Sequence, residues 1–321
     1  MKKNMTLLQD LYTYIDSLDI IGDIHGCYHT LIDLLIKLGY SQKNGIWQHP
    51  KRKAIFIGDY IDRGIYIDQS LSLIKNMVDN GKAVALLGNH EMNLIGIFIK
   101  GPDNQPLRSH NKIKQHRITL KTLNQHKLYY WIEWFKKLPI FIDLKKLRII
   151  HAAWHTHYIK IIKQFLPNNM LSDNLSLAFN TKSEFGKALR YVLKGPEIPL
   201  SKNLLDLIGK NMANLKFKKE ARIKWWNNSA YTQILLNNGT SITLNFNLKD
   251  LYEPYPDNAP ILFFGHYSMD IKPQIIRNNV QCVDFGAYKK NFLVAYSYNG
   301  EKKLLKENLK FVPYNNKDLI F

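Results

Sequence analysis

Cysteine is scarce in this 321-residue sequence: Cys27 and Cys282 are the only two. Two thiols make no disulfide framework, and they suit a reducing compartment. Long hydrophobic runs are missing as well. No stretch approaches the roughly 18 apolar residues of a membrane helix, so no membrane span is expected. The opening segment, MKKNMTLLQDLYTYIDSLDI, is interrupted by Gln9, Asp10 and Asp16 and does not read as a signal peptide. The expected location is the cytoplasm, unless export follows a route the sequence does not display. Acidic residues are in short supply, 26 Asp and Glu against 45 Lys and Arg, for a formal net charge of +19. Such an excess draws nucleic acid, an anionic membrane or a phosphorylated substrate. The basic residues are dispersed, with no long lysine block. A Lys-, Asn- and Ile-rich chain of biased genome composition would carry the same balance, so the charge supports an anionic ligand without identifying one.

What is present is a series of short apolar runs, each ending in a compact polar cluster. The runs are Leu18 to Ile21, Ala54 to Ile57, Ala83 to Leu87, Leu147 to Ile150, Ile261 to Phe264 and Gln281 to Val283. Each is too short for a helix, and several are rich in Ile, Val and Phe, which predicts buried strands. The clusters that follow are GDIHG, GDYIDRG, GNHE, HAAWH, GHYS and DFG. Helical periodicity follows the first two, through Leu31, Leu34, Leu35 and Leu38 and then Ile67, Leu71, Ile74 and Val78. Strands alternating with helices predict an α/β fold with a largely parallel core. In such sheets ligands bind beyond the carboxyl ends of the strands, so the polar clusters are expected to converge. Residues 101–124 are basic and His-rich and are expected to begin as a loop, with a helix over 129–135. The whole chain, 1–321, reads as a single domain. Residues 156–258, which include a helical pattern over Leu204 to Leu215, form an elaboration on it, because no Gly/Ser/Pro linker brackets them.

The convergent inventory is Asp23, His25, Asp59, Asp62, Arg63, Asn89, His90, His151, His155, His266 and Asp284. Carboxylates forced together repel unless a cation neutralises them. Asp, Asn and His together form a mixed oxygen and nitrogen donor set, which suits Mn, Fe or Zn better than Ca or Mg. Two metals about 3.5–4 Å apart can share one carboxylate and stabilise both oxygens of an in-line displacement. Taken alone, GNHE or a DxH pair reads equally as a capped turn or a core histidine. The four motifs in this order, each after an apolar run, do not.

GDIHG, GDYIDRG, GNHE, the histidine of HAAWH and the GH of GHYS together resemble the phosphoprotein-phosphatase branch of the calcineurin-like metallophosphoesterases. More narrowly, HAAW, KGPEIPL, RIKWW and FFGHY resemble a bacterial subgroup near the diadenosine-tetraphosphatase-like and PrpE-like enzymes. The resemblance implies a β-sandwich of two mixed sheets flanked by helices. It implies two divalent ions, most simply Mn2+, with Fe or Zn as alternatives. Asp23 and His25 would bind the first, Asp59 would bridge, and Asn89, His151 and His266 would complete the second. His90 would protonate the leaving oxygen with Asp62 holding its ring, and Arg63 would grip the phosphoryl group. Asp284 would stand behind the ligands. A second phosphate-binding arginine is expected after the fourth motif, with Arg222 in ARIKWW preferred over Arg190. Ser268 stands where related phosphodiesterases carry a second histidine, and HAAW replaces the HGG of eukaryotic protein phosphatases.

The resulting expectation is a metal-dependent phosphatase using in-line attack by metal-bound hydroxide on phosphomonoesters, with phosphoserine or phosphothreonine in proteins favoured and phosphotyrosine included. A dinucleoside polyphosphate such as diadenosine tetraphosphate is the alternative substrate. A basic nucleic-acid-binding protein on an inactive phosphatase fold is the alternative of another class, but every expected ligand position is filled. Trp225 and Trp226 are expected in the core rather than on a nucleobase. His110, His116, His155 and His157 are left outside the site, and the oligomeric state is not legible.

Overall fold

The computed structural model describes residues 14, 16–171, 174–200, 204, 220–227, 229, 231–236, 241–244 and 246–320. Its elements in chain order are β1 (Leu18–Ile21), α1 (Tyr28–Lys37), β2 (Ser41–Lys43), β3 (Ile46–Gln48), β4 (Lys53–Phe56), α2 (Ile67–Asp79) and β5 (Ala83–Ala85). Next come α3 (Asn89–Phe98), α4 (Arg117–Thr122), α5 (Gln125–Phe135), β6 (Phe141–Asp143), β7 (Leu147–Ile150), α6 (Thr156–Phe165), α7 (Leu175–Phe179) and α8 (Glu184–Lys194). The remainder is nearly all strand: β8 (Glu197–Pro199), β9 (Glu220–Ile223), β10 (Gln233–Leu235), β11 (Ser241–Thr243), β12 (Ile261–Phe264), β13 (Val280–Cys282), β14 (Asp284–Phe285), β15 (Phe292–Tyr298) and β16 (Leu309–Pro313).

All six apolar runs are strands, but they do not lie in one sheet. β1, β4 and β5 pair in parallel in a six-stranded sheet, with β15 antiparallel to β1 and carrying β14 and β16. β7, β12 and β13 pair in parallel in a second sheet, with β6 antiparallel to β7. The two mixed sheets that the family resemblance implies are therefore present, each built on a parallel trio. The sheets pack through Phe263 on β12 and Tyr296 on β15, whose ring centroids are 4.9 Å apart. The strands of both trios are buried almost throughout, as continuous apolar runs covered on both faces should be. α1 packs on β15 and β16, and α2 on β3 and β5.

Four short antiparallel strands, β11-β10-β9-β8, form a third sheet within the 156–258 region. Trp225 and Trp226, in the turn after β9, are buried against Phe264 and Tyr267 as expected of core residues. Only Leu204 of the helical pattern over 204–215 falls among the described residues. The 101–124 stretch opens as a loop and closes with a 3-10 turn over His110–His116 and helix α4.

The first polar cluster is anchored from the far end of the chain. Helix α1 begins directly after GDIHG, and its N-cap residue Cys27 has no side-chain capping bond. The buried carboxylate of Asp318 takes that role: Oδ1 accepts the His29 N–H at 2.9 Å, and Oδ2 accepts the Thr30 N–H at 2.9 Å and the Thr30 hydroxyl at 2.6 Å. An anion at a helix N-terminus satisfies orphan donors and complements the dipole. Asp318→Ala is expected to destabilise the fold by about 2 kcal/mol, read as a lower urea midpoint with unchanged slope. An unchanged midpoint would contradict this anchoring.

Candidate metal and phosphate site

The ends of both parallel trios open into one cavity of about 700 Å3, lined among others by His25, Asp59, Arg63, Asn89, His90 and His266. Asp59 stands at its centre. Oδ2 lies 3.6 Å from His25 Nε2 and 3.8 Å from His90 Nε2, while Oδ1 lies 3.3 Å from His151 Nε2. Two donor groups result, His25–Asp59–His90 and Asp59–His151–His266, each with its ligand atoms within 4.8 Å of one another. They share only Asp59, which turns one oxygen toward each. Asn89 joins the second group through Oδ1, 3.1 Å from His151 Nε2. Asp23 is buried beside them and accepts the His266 N–H at 3.1 Å.

The histidine tautomers are fixed by backbone carbonyls. His25 Nδ1 donates to Ile61 O at 2.7 Å and His151 Nδ1 to Ile57 O at 2.9 Å, so both Nε2 atoms face the cavity. Burial, and next the charge of His90, push His25 down to about 3. Burial, then Arg222 and His151, hold His266 well below the usual range. Both are neutral imidazoles, the form that ligates metals. Burial and the neighbouring Asp284 and Asp59 raise the Asp23 carboxyl. Burial also opposes ionisation of Asp59, but His151 and His90 overcome it and hold that carboxyl well below the carboxylate range. The donor set fits two divalent cations on one further observation: His266 Nε2 is buried with no hydrogen-bond partner, a cost that a ligated cation removes.

The backbone is strained where these side chains point inward. His25, Asp59, Asp62, Arg63, His266 and Ser268 all have left-handed φ, between 46° and 70°. Such positions cost of order 1–2 kcal/mol each and gather at functional sites. Two glycines permit the close approach. A Cβ on Gly58, which has φ of 109°, would stand 2.6 Å from Gly88 Cα, and one on Gly265 would stand 2.3 Å from Asp23 Oδ1.

Asp62 belongs to neither donor group and lies behind His90. Its Oδ2 is 2.5 Å from His90 Nδ1 and 2.9 Å from His116 Nδ1, and its Oδ1 accepts the Thr119 hydroxyl at 2.5 Å. Burial acts against its charge, yet the bonds from His116 and His90 hold its carboxyl below the usual range. Burial likewise acts to lower His90, but Asp59 and Asp62 hold its imidazolium above the ordinary value. Asp284 is buried against the ligand groups and accepts the N–H groups of Ser268 at 2.5 Å and Gly286 at 3.0 Å.

Arg63 lines the cavity with its guanidinium 5.1 Å from the Tyr288 ring. Arg222 lines it too and donates to His266 O at 2.8 Å. Arg190 lies outside, paired with Glu197 and Glu220 at 3.1 and 3.3 Å. His155 is likewise elsewhere, against Tyr158, Tyr191 and Glu253.

Several residues of the site escaped the sequence reading. His116 stands outside the expected site and Thr119 is not among its candidates, because nothing local ties either to Asp62, more than 50 positions away. Lys114, Arg117 and Lys194 add cations to the cavity wall. Glu91 had a signal, the fourth residue of GNHE. Its buried carboxylate accepts the N–H groups of Asp59, Tyr60, Ile61 and Gly88 at 2.9, 2.8, 3.2 and 3.1 Å. Burial, then Asp59, push that carboxyl up to about 7, while its four donors favour the ionised form.

The chain is 34% identical over 148 residues to a bis(5'-nucleosyl)-tetraphosphatase PrpE (asymmetrical) from Oceanobacillus iheyensis, covering 44% of this chain and 58% of that protein. It is 30% identical over 171 residues to a symmetrical bis(5'-nucleosyl)-tetraphosphatase from Buchnera aphidicola subsp. Baizongia pistaciae, covering 50% and 55%. The chain thus spans little more than half the length of these two relatives. Among solved structures it is similar to a cold-active protein-tyrosine phosphatase of a Shewanella species, at 17% identity and a TM-score of 0.45 over 94% of this chain and 80% of that one. It is also similar to a protein serine/threonine phosphatase from Saccharomyces cerevisiae, at 12% identity and a TM-score of 0.47 over 98% and 87%. The profile of the calcineurin-like phosphoesterases matches residues 17–270, from the start of β1 past the last histidine of the cavity. Matched across that span, the chain belongs to the calcineurin-like phosphoesterase family.

Proposed function

We propose that this phosphoesterase hydrolyses dinucleoside polyphosphates, with diadenosine tetraphosphate as the representative substrate. The observation that carries the reading is the number of cations on the cavity wall: Arg63, Lys114, Arg117, Lys194 and Arg222. A phosphoserine or phosphothreonine brings one phosphoryl group, which two arginines satisfy. Three further cations suit a chain of phosphates, whose charge repeats along its length. The names of the PrpE and symmetrical tetraphosphatase relatives support the same choice. The order of preference drawn from the sequence, phosphoprotein first, is accordingly reversed.

Asp23 and His25 would hold one divalent ion and Asn89, His151 and His266 the other, with Asp59 between them. The mixed donors favour Mn2+ over Ca2+ or Mg2+. Such a pair supplies Lewis acidity and a water that is nucleophilic at neutral pH. The chain's own residues do the rest. Arg63 and Arg222 orient the phosphoryl group by charge-assisted bonds. His90, kept protonated by Asp62 and Asp59, gives the proton on Nε2 to the departing oxygen. Asp62 keeps Nδ1 occupied and is itself held by His116 and Thr119. Asp284 fixes the backbone that carries Ser268.

Turnover of p-nitrophenyl phosphate, a phosphopeptide and diadenosine tetraphosphate by Mn2+-loaded protein is expected to give the highest kcat/KM for the tetraphosphate. A preference for the phosphopeptide would contradict the substrate reading, and no turnover of any of the three would contradict the enzyme. In the same assay His90→Asn is expected to lose about 10²–10⁴ of kcat with its metal content intact; wild-type rates would remove His90 as the acid. Burial, then Arg108, lower the Lys194 amine to about 8. A lysine is charged below its pKa, so the cavity loses a cation as pH rises through that value. KM for the tetraphosphate is expected to rise above pH 8, and Lys194→Arg, which stays charged, to flatten the rise. A flat wild-type profile, or the same rise in the variant, would contradict this role.

A further inference from the structure

A second cavity, of about 340 Å3, adjoins the catalytic one and shares Asn89, Asn93 and Lys194 with it as wall residues. Its character is different. Met92, Leu107, Phe179, Leu189 and Leu193 give it apolar sides, where the catalytic cavity presents carboxylates, imidazoles and cations. The volume falls within the roughly 300–1,000 Å3 of small-molecule sites.

One wall is a fixed aromatic ring. A Cβ on Gly96 of α3 would stand 2.3 Å from Phe179 Cε1, so the ring lies directly against the helix backbone. The Arg108 N–H donates to Gly96 O at 2.7 Å, which holds the 101–109 loop against the same turn. The Arg108 side chain also lines the cavity, and its Nε is buried with no hydrogen-bond partner among the described residues. An apolar slot with one aromatic wall and one unsatisfied donor matches a planar heterocycle that carries acceptor atoms.

We infer that this cavity seats a nucleobase of the substrate, with Lys194 at the junction where the attached phosphates pass into the catalytic cavity. The inference rests on the nucleotide reading above and extends it to a location. A base there is stacked by Phe179 and offers a ring nitrogen or carbonyl to Arg108 Nε. Its 5'-phosphates meet Lys194 before reaching Arg63 and Arg222. A phosphoserine or phosphothreonine side chain has nothing planar to place in this slot, so the slot would favour nucleotides over them.

The test is equilibrium binding to the Mn2+-loaded protein of the α,β-methylene analogue of ADP and of methylenediphosphonate, in excess metal. Neither ligand depends on turnover, and they differ by the nucleoside. The wild type is expected to bind the nucleotide analogue at least about tenfold more tightly, the scale of one base stacked on an aromatic ring. Phe179→Ala removes the ring. Thr181→Trp, at an exposed position on the cavity wall, fills the slot without disturbing the core. The affinity ratio is expected to fall toward 1 in both, each checked by a cooperative thermal melt. A wild-type ratio near 1 overturns the inference even if diadenosine tetraphosphate is hydrolysed, because the base then contributes nothing. A tenfold ratio that survives in both variants overturns it as well, because the base then sits elsewhere. A ratio that collapses as expected in a protein that does not hydrolyse the tetraphosphate keeps the subsite and removes the proposed substrate.

Discussion

The site depends on the grip of one buried carboxylate on two adjacent strand ends. Glu91, in the first turn of α3, accepts N–H groups from Asp59, Tyr60 and Ile61 beyond β4 and from Gly88 beyond β5. Those four donors would otherwise be orphaned in a buried turn, each at a cost of about 1–3 kcal/mol. By gathering them, Glu91 fixes the backbone of Asp59 and the start of the helix that carries Asn89 and His90. The His90 N–H then donates to Asp59 Oδ1 at 3.0 Å. The aim of the central carboxylate is therefore set by a residue that does not line the cavity.

The topology supplies the remainder. β4 is the middle strand of one parallel trio and β12 the middle strand of the other. The cluster after β4 contributes the shared Asp59, and the cluster after β12 contributes His266. Their flanking strands add Asp23, His25, Asn89 and His90 on one side and His151 on the other. Parallel neighbours end at the same edge, so six loops deliver polar groups to one cavity without any loop having to be long. The left-handed residues show the cost of this delivery: the chain turns sharply at each inward-pointing side chain, and packing against the neighbouring loops has to hold it there.

Much of this was legible in the sequence because the informative residues lie next to the elements that position them. The runs Leu18–Ile21, Leu147–Ile150 and Ile261–Phe264 stand as strands within those bounds, and the other three are displaced or shortened by a residue or two. An apolar run with both faces covered has a clear signature, and the glycine that ends it marks where backbones approach. Pairing has no such signature. Nothing in a run of Ile and Phe tells whether its neighbour belongs to the same sheet, so the apolar pattern alone indicated only a largely parallel core, and the two mixed sheets were implied by the family resemblance. Long-range partners were equally hidden. His116 reaches Asp62, and Asp318 reaches helix α1, across dozens to hundreds of residues. Only the Arg-x-x-Trp setting of Arg222 separated it from Arg190 in the sequence. In the structure Arg222 lines the catalytic cavity, while Arg190, within α8, lines the adjoining one, where Glu197 and Glu220 hold it.

Under the proposed function Asp59 would serve two cations, one through each oxygen. Anomalous diffraction from crystals of the Mn2+-loaded protein tests this directly. Two peaks about 3.5–4 Å apart, one beside Oδ2 with His25 and one beside Oδ1 with His151 and His266, are the predicted result. A single peak, or two peaks of which only one contacts Asp59, would contradict it.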